Sequence, residues 1–213
     1  MDLDTLIRCW RQTPSDHQFR PAATAAELAL AGEKLSLALP PALGQLYSFS
    51  NGLSLFQGHI TFYPLHDEST EICLTRVTPW LREQNWLVPA ELLILGSTGI
   101  GNPIGVWIGP TSAELSLPVV QLNQNFEPNC LTLAATGLIP YLTFETALDL
   151  AMSERGGELY TLLGAPTSLP AYDLDSDGAI DAWAEWIDPQ LLRLPAAADL
   201  TQLDESTLRR LLQ

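Results

Sequence analysis

The residues with the most definite chemistry lie near the C-terminus, where Asp173, Asp175 and Asp177 alternate and Gly178 follows. This is the first half of a calcium loop: hard oxygen donors must converge on one ion, and a glycine permits the sharp turn between them. Ile180 stands where such loops keep a hydrophobic residue, and Asp181 adds a carboxylate. The candidate metal set is therefore Asp173, Asp175, Asp177 and Asp181, with calcium as the candidate cofactor. Two features depart from the pattern. Ala184 occupies the position of the bidentate carboxylate, with Glu185 one residue late, and Pro166 and Pro170 prevent the usual entering helix. The same residues also read as an acidic turn capping a helix that begins near Ile180, its charge well placed at the positive end of the helix dipole. Both readings stay open.

Other chemistry is sparse. His17, His59 and His66 are the only histidines, and no Gly-x-Ser-x-Gly elbow, His-Glu-x-x-His or Cys-x-x-Cys accompanies them. His66-Asp67-Glu68 could form part of a metal site but reads better as a solvated loop, because further ligands would have to come from elsewhere. Cys9, Cys73 and Cys130 are odd in number and far apart, which argues against a disulfide framework or a zinc site. The glycines from Gly96 to Gly105 invite a phosphate cradle. Their order is not G-x-G-x-x-G, no P-loop lysine follows, and Pro103 leads into a strand, so a strand-loop-strand connection is expected. The chain is expected not to be an enzyme.

The elements that must position these residues can be read from spacing. Leu3, Leu6, Ile7 and Trp10 predict a helix over 2–11, and Thr24 with Glu27 forms a capping box that opens a helix over 25–35. Pro41 begins a short buried helix carrying Leu43, Leu46 and Tyr47, which Asn51-Gly52 is expected to stop. Strands are expected over 58–65, 71–77, 92–95, 106–108, 119–122 and 130–134. Thr143 is expected to cap a helix over 144–152, with Phe144, Ala147, Leu148 and Ala151 inward. A short helix over 158–163 follows. The composition then shifts to Pro, Ser and Thr, so a main domain over 1–165 and an extension over 166–213 are expected. In that extension Ile180, Trp183, Ala184 and Ile187 form an apolar face, and Leu208, Leu211 and Leu212 that of a last small helix.

Capped helix, Leu39-Pro40-Pro41, short helix ending Asn51-Gly52, then a strand: this order resembles the SUKH superfamily, which includes bacterial toxin-immunity proteins and a yeast regulator of cell-wall assembly. Ile94-Leu95-Gly96, the glycines from Gly99 to Gly101, and Phe144 at the start of a closing helix extend the likeness over residues 24–152. The resemblance implies an α+β fold, a mainly antiparallel sheet packed with N-terminal helices and a closing C-terminal helix, with a small helical appendage here. Asn102 stands where an acidic residue is expected in many members, so no role passes to it.

Composition limits the partners. The 213 residues carry a net charge of −15, and Lys34 is the only lysine. Such a field repels nucleic acid and anionic membranes and steers basic proteins toward the surface. No apolar run approaches the ~20 residues of a membrane span, and Met1-Asp2-Leu3-Asp4 is unlike a secretory leader, so a cytoplasmic protein is expected. Together with the resemblance, this leads to the expectation of a non-enzymatic binding protein that masks a toxin, a nuclease in many members. Asp67, Glu68 and Glu71 are the candidate partner-binding residues. The alternative is an interaction or scaffold module in cell-wall or signalling regulation, calcium-responsive if the aspartate loop binds the ion.

Overall fold

A computed structural model describes residues 1–13, 16–67, 72–84, 86, 88–111, 116–123, 130–153, 155–171, 177–194 and 200–212. Helices α1 (Leu3–Arg11), α2 (Ala25–Leu35) and α3 (Pro41–Phe49) come first, with the two-residue strand β1 (Gln18–Phe19) between α1 and α2. Asp2 caps α1 by accepting from the Thr5 N–H at 2.8 Å, and the Thr24–Glu27 capping box opens α2. Strands β2 (Leu53–Leu55) and β3 (Ile60–Phe62) follow, then α4 (Leu74–Glu83), β4 (Leu92–Thr98), β5 (Pro103–Trp107), β6 (Val119–Leu122) and β7 (Leu131–Ala135). These make one seven-stranded sheet in sequential order, antiparallel throughout, so the fold is α+β as expected. Helices α5 (Leu138–Met152), α6 (Leu159–Leu162), α7 (Asp177–Ile187) and α8 (Glu205–Leu212) complete the chain.

Alternation along the strands sends side chains to two cores. Leu53, Leu55, Ile60, Phe62, Leu93, Leu95 and Val106 face the larger one, shared with α1, α3, α5 and α7. Leu92, Ile94, Trp107, Val120 and Leu133 face the opposite side, covered by Val77 and Leu81 of α4 and by Leu208 and Leu212 of α8. The C-terminal residues join both. Trp183 is fully buried in the first core, while Leu203 exchanges two backbone hydrogen bonds with Leu131 along the β7 edge. Buried Asp188 fastens α7 to the start of α5 by accepting from the Thr136 N–H at 2.8 Å and from the Thr136 hydroxyl.

Four expectations change. The strand over 71–77 is replaced by α4, because Leu74, Val77 and Leu81 recur at helical spacing against β4. Pro79 inside it removes only the bond to the Thr75 carbonyl. Helix α5 begins six residues before the expected start, with Gly137 as its cap. Thr143 is buried inside it, its hydroxyl donating to the Ile139 carbonyl at 2.8 Å, and Phe144 lies mid-helix and does not open it. Helix α7 begins at Asp177. Finally, α3 is stopped by Ser50 turning extended, and not by a left-handed Asn-Gly cap. Gly52, at φ +92°, serves the entry to β2 instead: a side chain there would place its Cβ 2.9 Å from the Pro64 nitrogen. Strand β2 itself was not among the expected strands. The Gly96–Gly105 stretch is the expected strand-loop-strand, with Gly101 at φ +88° closing the β4–β5 turn.

Candidate functional site

Two surfaces hold polar groups that the two cores leave exposed. The first is one end of the sheet. Residues directly opposite in antiparallel strands share a face, so the register places Gln18, Ser54, Thr61 and Ser97 in one row on the side away from the larger core. All four are at least partly exposed. Over β4 to β7 this side is covered by α4 and α8. Over β1 to β3 it is a groove of about 450 Å³, lined by Gln18, Arg20, Ser54, Thr61, Tyr63 and Ile72 among others. Tyr63 separates groove from core: it packs against the second core and lines the groove, and burial raises its phenol above the ordinary value. The wall is fixed from behind by the fully buried Tyr47 of α3, whose hydroxyl donates to the Tyr63 carbonyl at 3.0 Å. Ile72 is 48% exposed at the rim, an apolar contact offered to solvent.

Asp67 belongs to this rim. Its carboxylate lies 3.6 Å from the Arg20 guanidinium, which the groove also includes. Next to it, the Lys34 ammonium sits 3.4 Å from the His66 ring. His66 and Asp67 thus each have a cation beside them, an arrangement that suits a solvated loop better than a metal centre. Glu68 and Glu71 lie outside the described residues.

The second surface lies between α5 and the turn that joins β2 to β3. Phe56 and Gln57 both hold left-handed backbone, φ 53° and 55°, a conformation that costs roughly 1–3 kcal/mol at a non-glycine residue and must be held from outside. The neighbours that hold it are named by their bonds. The Phe56 N–H donates to His17 Nδ1 at 3.2 Å, and the Gln57 N–H to the Asp16 carbonyl at 2.8 Å. Because His17 Nδ1 accepts, its proton is on Nε2, 3.0 Å from the Thr13 hydroxyl; burial holds this ring below its usual pKa.

Outside the turn, Phe56, Gln57, His59, Glu145, Leu148, Asp149, Met152 and Ser153 enclose a groove of about 350 Å³. Glu145 Oε2 is sealed from solvent without a hydrogen bond, and His59 Nε2 stands 3.6 Å from it. Burial raises the Glu145 carboxyl above its ordinary pKa, while His59 and Tyr141 pull it back. Asp149 is raised too, by burial and by the charge of Asp16. Of the groove residues, the sequence names His59 only among the histidines and Leu148 only as an inward residue of the closing helix; Glu145 and Asp149 are not singled out. The usable signal is the spacing Tyr141, Glu145, Asp149, Met152, which puts all four on one helical side; a helix begun at residue 144 hides its first member.

The tail aspartates are divided. Asp177 and Asp181 are exposed in the first turns of α7, one turn apart, and Asp173 and Asp175 lie outside the described residues. Among the described residues, no three His, Cys, Asp or Glu side chains gather as metal ligands, and no helix is long and apolar enough to cross a membrane. Cys9 and Cys73 are buried free thiols, Cys9 pushed up to about 11 by burial. No family model matches the chain, and no curated protein matches it.

Proposed function

We propose that this chain is a protein-binding domain that acts by covering a basic macromolecular partner, in the manner of a SUKH immunity protein neutralising a toxin. The observation that carries the reading is the open end of the sheet. Helices cover the opposite face and the far half of this one, while the row Gln18–Ser54–Thr61–Ser97 is left as a shallow polar floor between Tyr63 and Ile72. A rigid sheet floor with exposed hydroxyls and one apolar rim residue suits contact with another protein surface. The net charge of −15 steers basic partners toward it, and Asp67, beside Arg20 of the groove, supplies a carboxylate at the contact. Arg20 does not oppose this, because its charge is already beside Asp67. Occlusion needs no catalytic group: a basic cleft that holds substrate phosphates is filled by carboxylates instead.

The experiment is co-expression with the protein encoded by the adjacent gene. The expected result is a stable complex and protection of the cell from that protein's activity. Neither complex nor protection would end the toxin reading; a complex with a cell-envelope regulator, and no protection, would favour the scaffold alternative.

A further inference from the structure

We infer that the groove between α5 and the 56–59 turn accepts the charged end of a lysine or arginine side chain from a protein partner, with Glu145 as the counter-ion. The Glu145 side chain is only 17% exposed, and its Oε2 has neither water access nor a hydrogen bond. Tyr141 hydrogen-bonds the carboxyl, yet the Oε2 oxygen placed this way stays under-compensated until a cation is brought to it. The resident partner is inadequate. His59 stands at 3.6 Å, beyond hydrogen-bond reach, and its own side chain is 57% exposed, so an incoming ammonium or guanidinium can replace it.

The other charges facing the site favour the same occupant. Asp149 follows Glu145 by one helical turn, and Asp16 acts on it electrostatically from the segment after α1. The remaining cation, Arg155, is engaged by Glu158 through two hydrogen bonds of 3.0 and 2.6 Å. Tyr141 adds a neutral phenol, kept protonated by burial.

The shape selects a side chain. Glu145, Leu148 and Met152 follow one side of α5 at i, i+3 and i+7, a run of roughly 10 Å at 1.5 Å per residue. Exposure rises along it, from the buried carboxylate to Met152 at 71%. That is the polarity of an extended arginine or lysine: charge at the tip against Glu145, methylenes over Leu148 and Phe56, and the backbone leaving past Met152. A volume of about 350 Å³ suits one such side chain.

The test needs no partner, so it succeeds or fails separately from the sheet-face reading. The chain holds two methionines, Met1 and Met152. With methyl-labelled methionine, titration of Nα-acetyl-arginine amide is expected to shift the Met152 signal saturably and leave Met1 unmoved. The uncharged citrulline amide is expected to shift neither. Glu145→Gln should weaken the arginine probe about tenfold, and Asp149→Asn about two- to threefold. Equal shifts from arginine and citrulline amides, or unchanged affinity in Glu145→Gln, would overturn the assignment. Should Glu145→Gln not fold, the arginine–citrulline contrast in the wild type together with Asp149→Asn decides. Tighter saturation of the same signal by spermidine would give the groove to a free polyamine and overturn the side-chain source.

Discussion

The two ends of the sheet are treated differently by the same chain. At the β4–β7 end both faces are covered, and the trapped carboxylate and hydroxyl groups are paired: Asp188 takes Thr136, and Thr78 accepts from the Ile94 N–H at 3.0 Å, while the Trp107 indole N–H is buried without a hydrogen bond. Arg209 binds Glu91 and Glu205 beside the Trp107 ring. At the β1–β3 end one face is a row of polar side chains over an open groove, and beside the neighbouring turn Glu145 Oε2 has no hydrogen bond. Among the described residues after 166, Trp183 of α7 enters the first core, and Leu203, Leu208 and Leu212 cover the second. The difference teaches where to look for function: stability should reside where both faces are covered, and binding where a groove reaches an unpaired carboxylate oxygen.

The largest effect is expected at the covered end. Trp183→Ala removes a fully buried ring that packs on Tyr160 and Trp186 and donates to the Pro170 carbonyl at 3.0 Å. Chemical denaturation should report a loss of about 3–5 kcal/mol. A loss below about 1 kcal/mol would mean that α7 is not part of the first core. Next, Asp188→Ala strands the Thr136 N–H and hydroxyl in a buried site and should cost about 1–3 kcal/mol. Asp188→Asn should recover only part of it.

At the other end the effects should be pH-dependent and of opposite sign on the two sides of one turn. The folded Glu145 carboxyl is raised above 4.5, so its contribution to stability is complete below 4.5 and is lost as pH rises through the folded value. Glu145→Gln should therefore raise the melting temperature at neutral pH, with the gain vanishing in acid. His17 is lowered below 6.5, so its contribution is present above 6.5 and is lost as pH falls through the folded value. Its ring signals in NMR should titrate with a midpoint below 6.5; a midpoint at or above that value contradicts the Nε2-protonated arrangement. The smallest stability effect is expected at the sheet floor: Thr61→Arg should stay within about 0.5 kcal/mol of wild type.

Much of the covered architecture was legible in the sequence. Capping residues at Thr24, prolines at 40 and 41, and apolar runs such as Leu92 to Leu95 each have a local physical cause, and their elements formed as expected. Elsewhere local signals competed. The run Ile72-Cys73-Leu74-Thr75-Arg76-Val77 satisfies an alternating pattern as well as a helical one, and packing against β4 decided for the helix. Thr143 offered a cap at residue 144, yet α5 starts at Leu138, and Pro140 in its first turn has a missing N–H that costs nothing there. The open sheet floor was hidden because β2 is only three residues long, although Leu53-Ser54-Leu55 and Ile60-Thr61-Phe62 share one alternation. The Glu145 groove was hidden for another reason: Asp149 lies one helical turn on, but Asp16 and His59 reach the site only through tertiary placement. Of the residues named for partner binding, Asp67 lies 3.6 Å from Arg20 of the groove lining.

The central claim is that a partner seats on the uncovered end of the sheet. Hydrogen exchange of the free chain against its complex with the neighbouring gene's product tests it most directly. The account predicts new protection at Gln18, Ser54, Thr61 and Ile72, with α7 and α8 unchanged. Protection confined to α4, α7 or α8, with the β1–β3 floor exchanging as in the free chain, would contradict it.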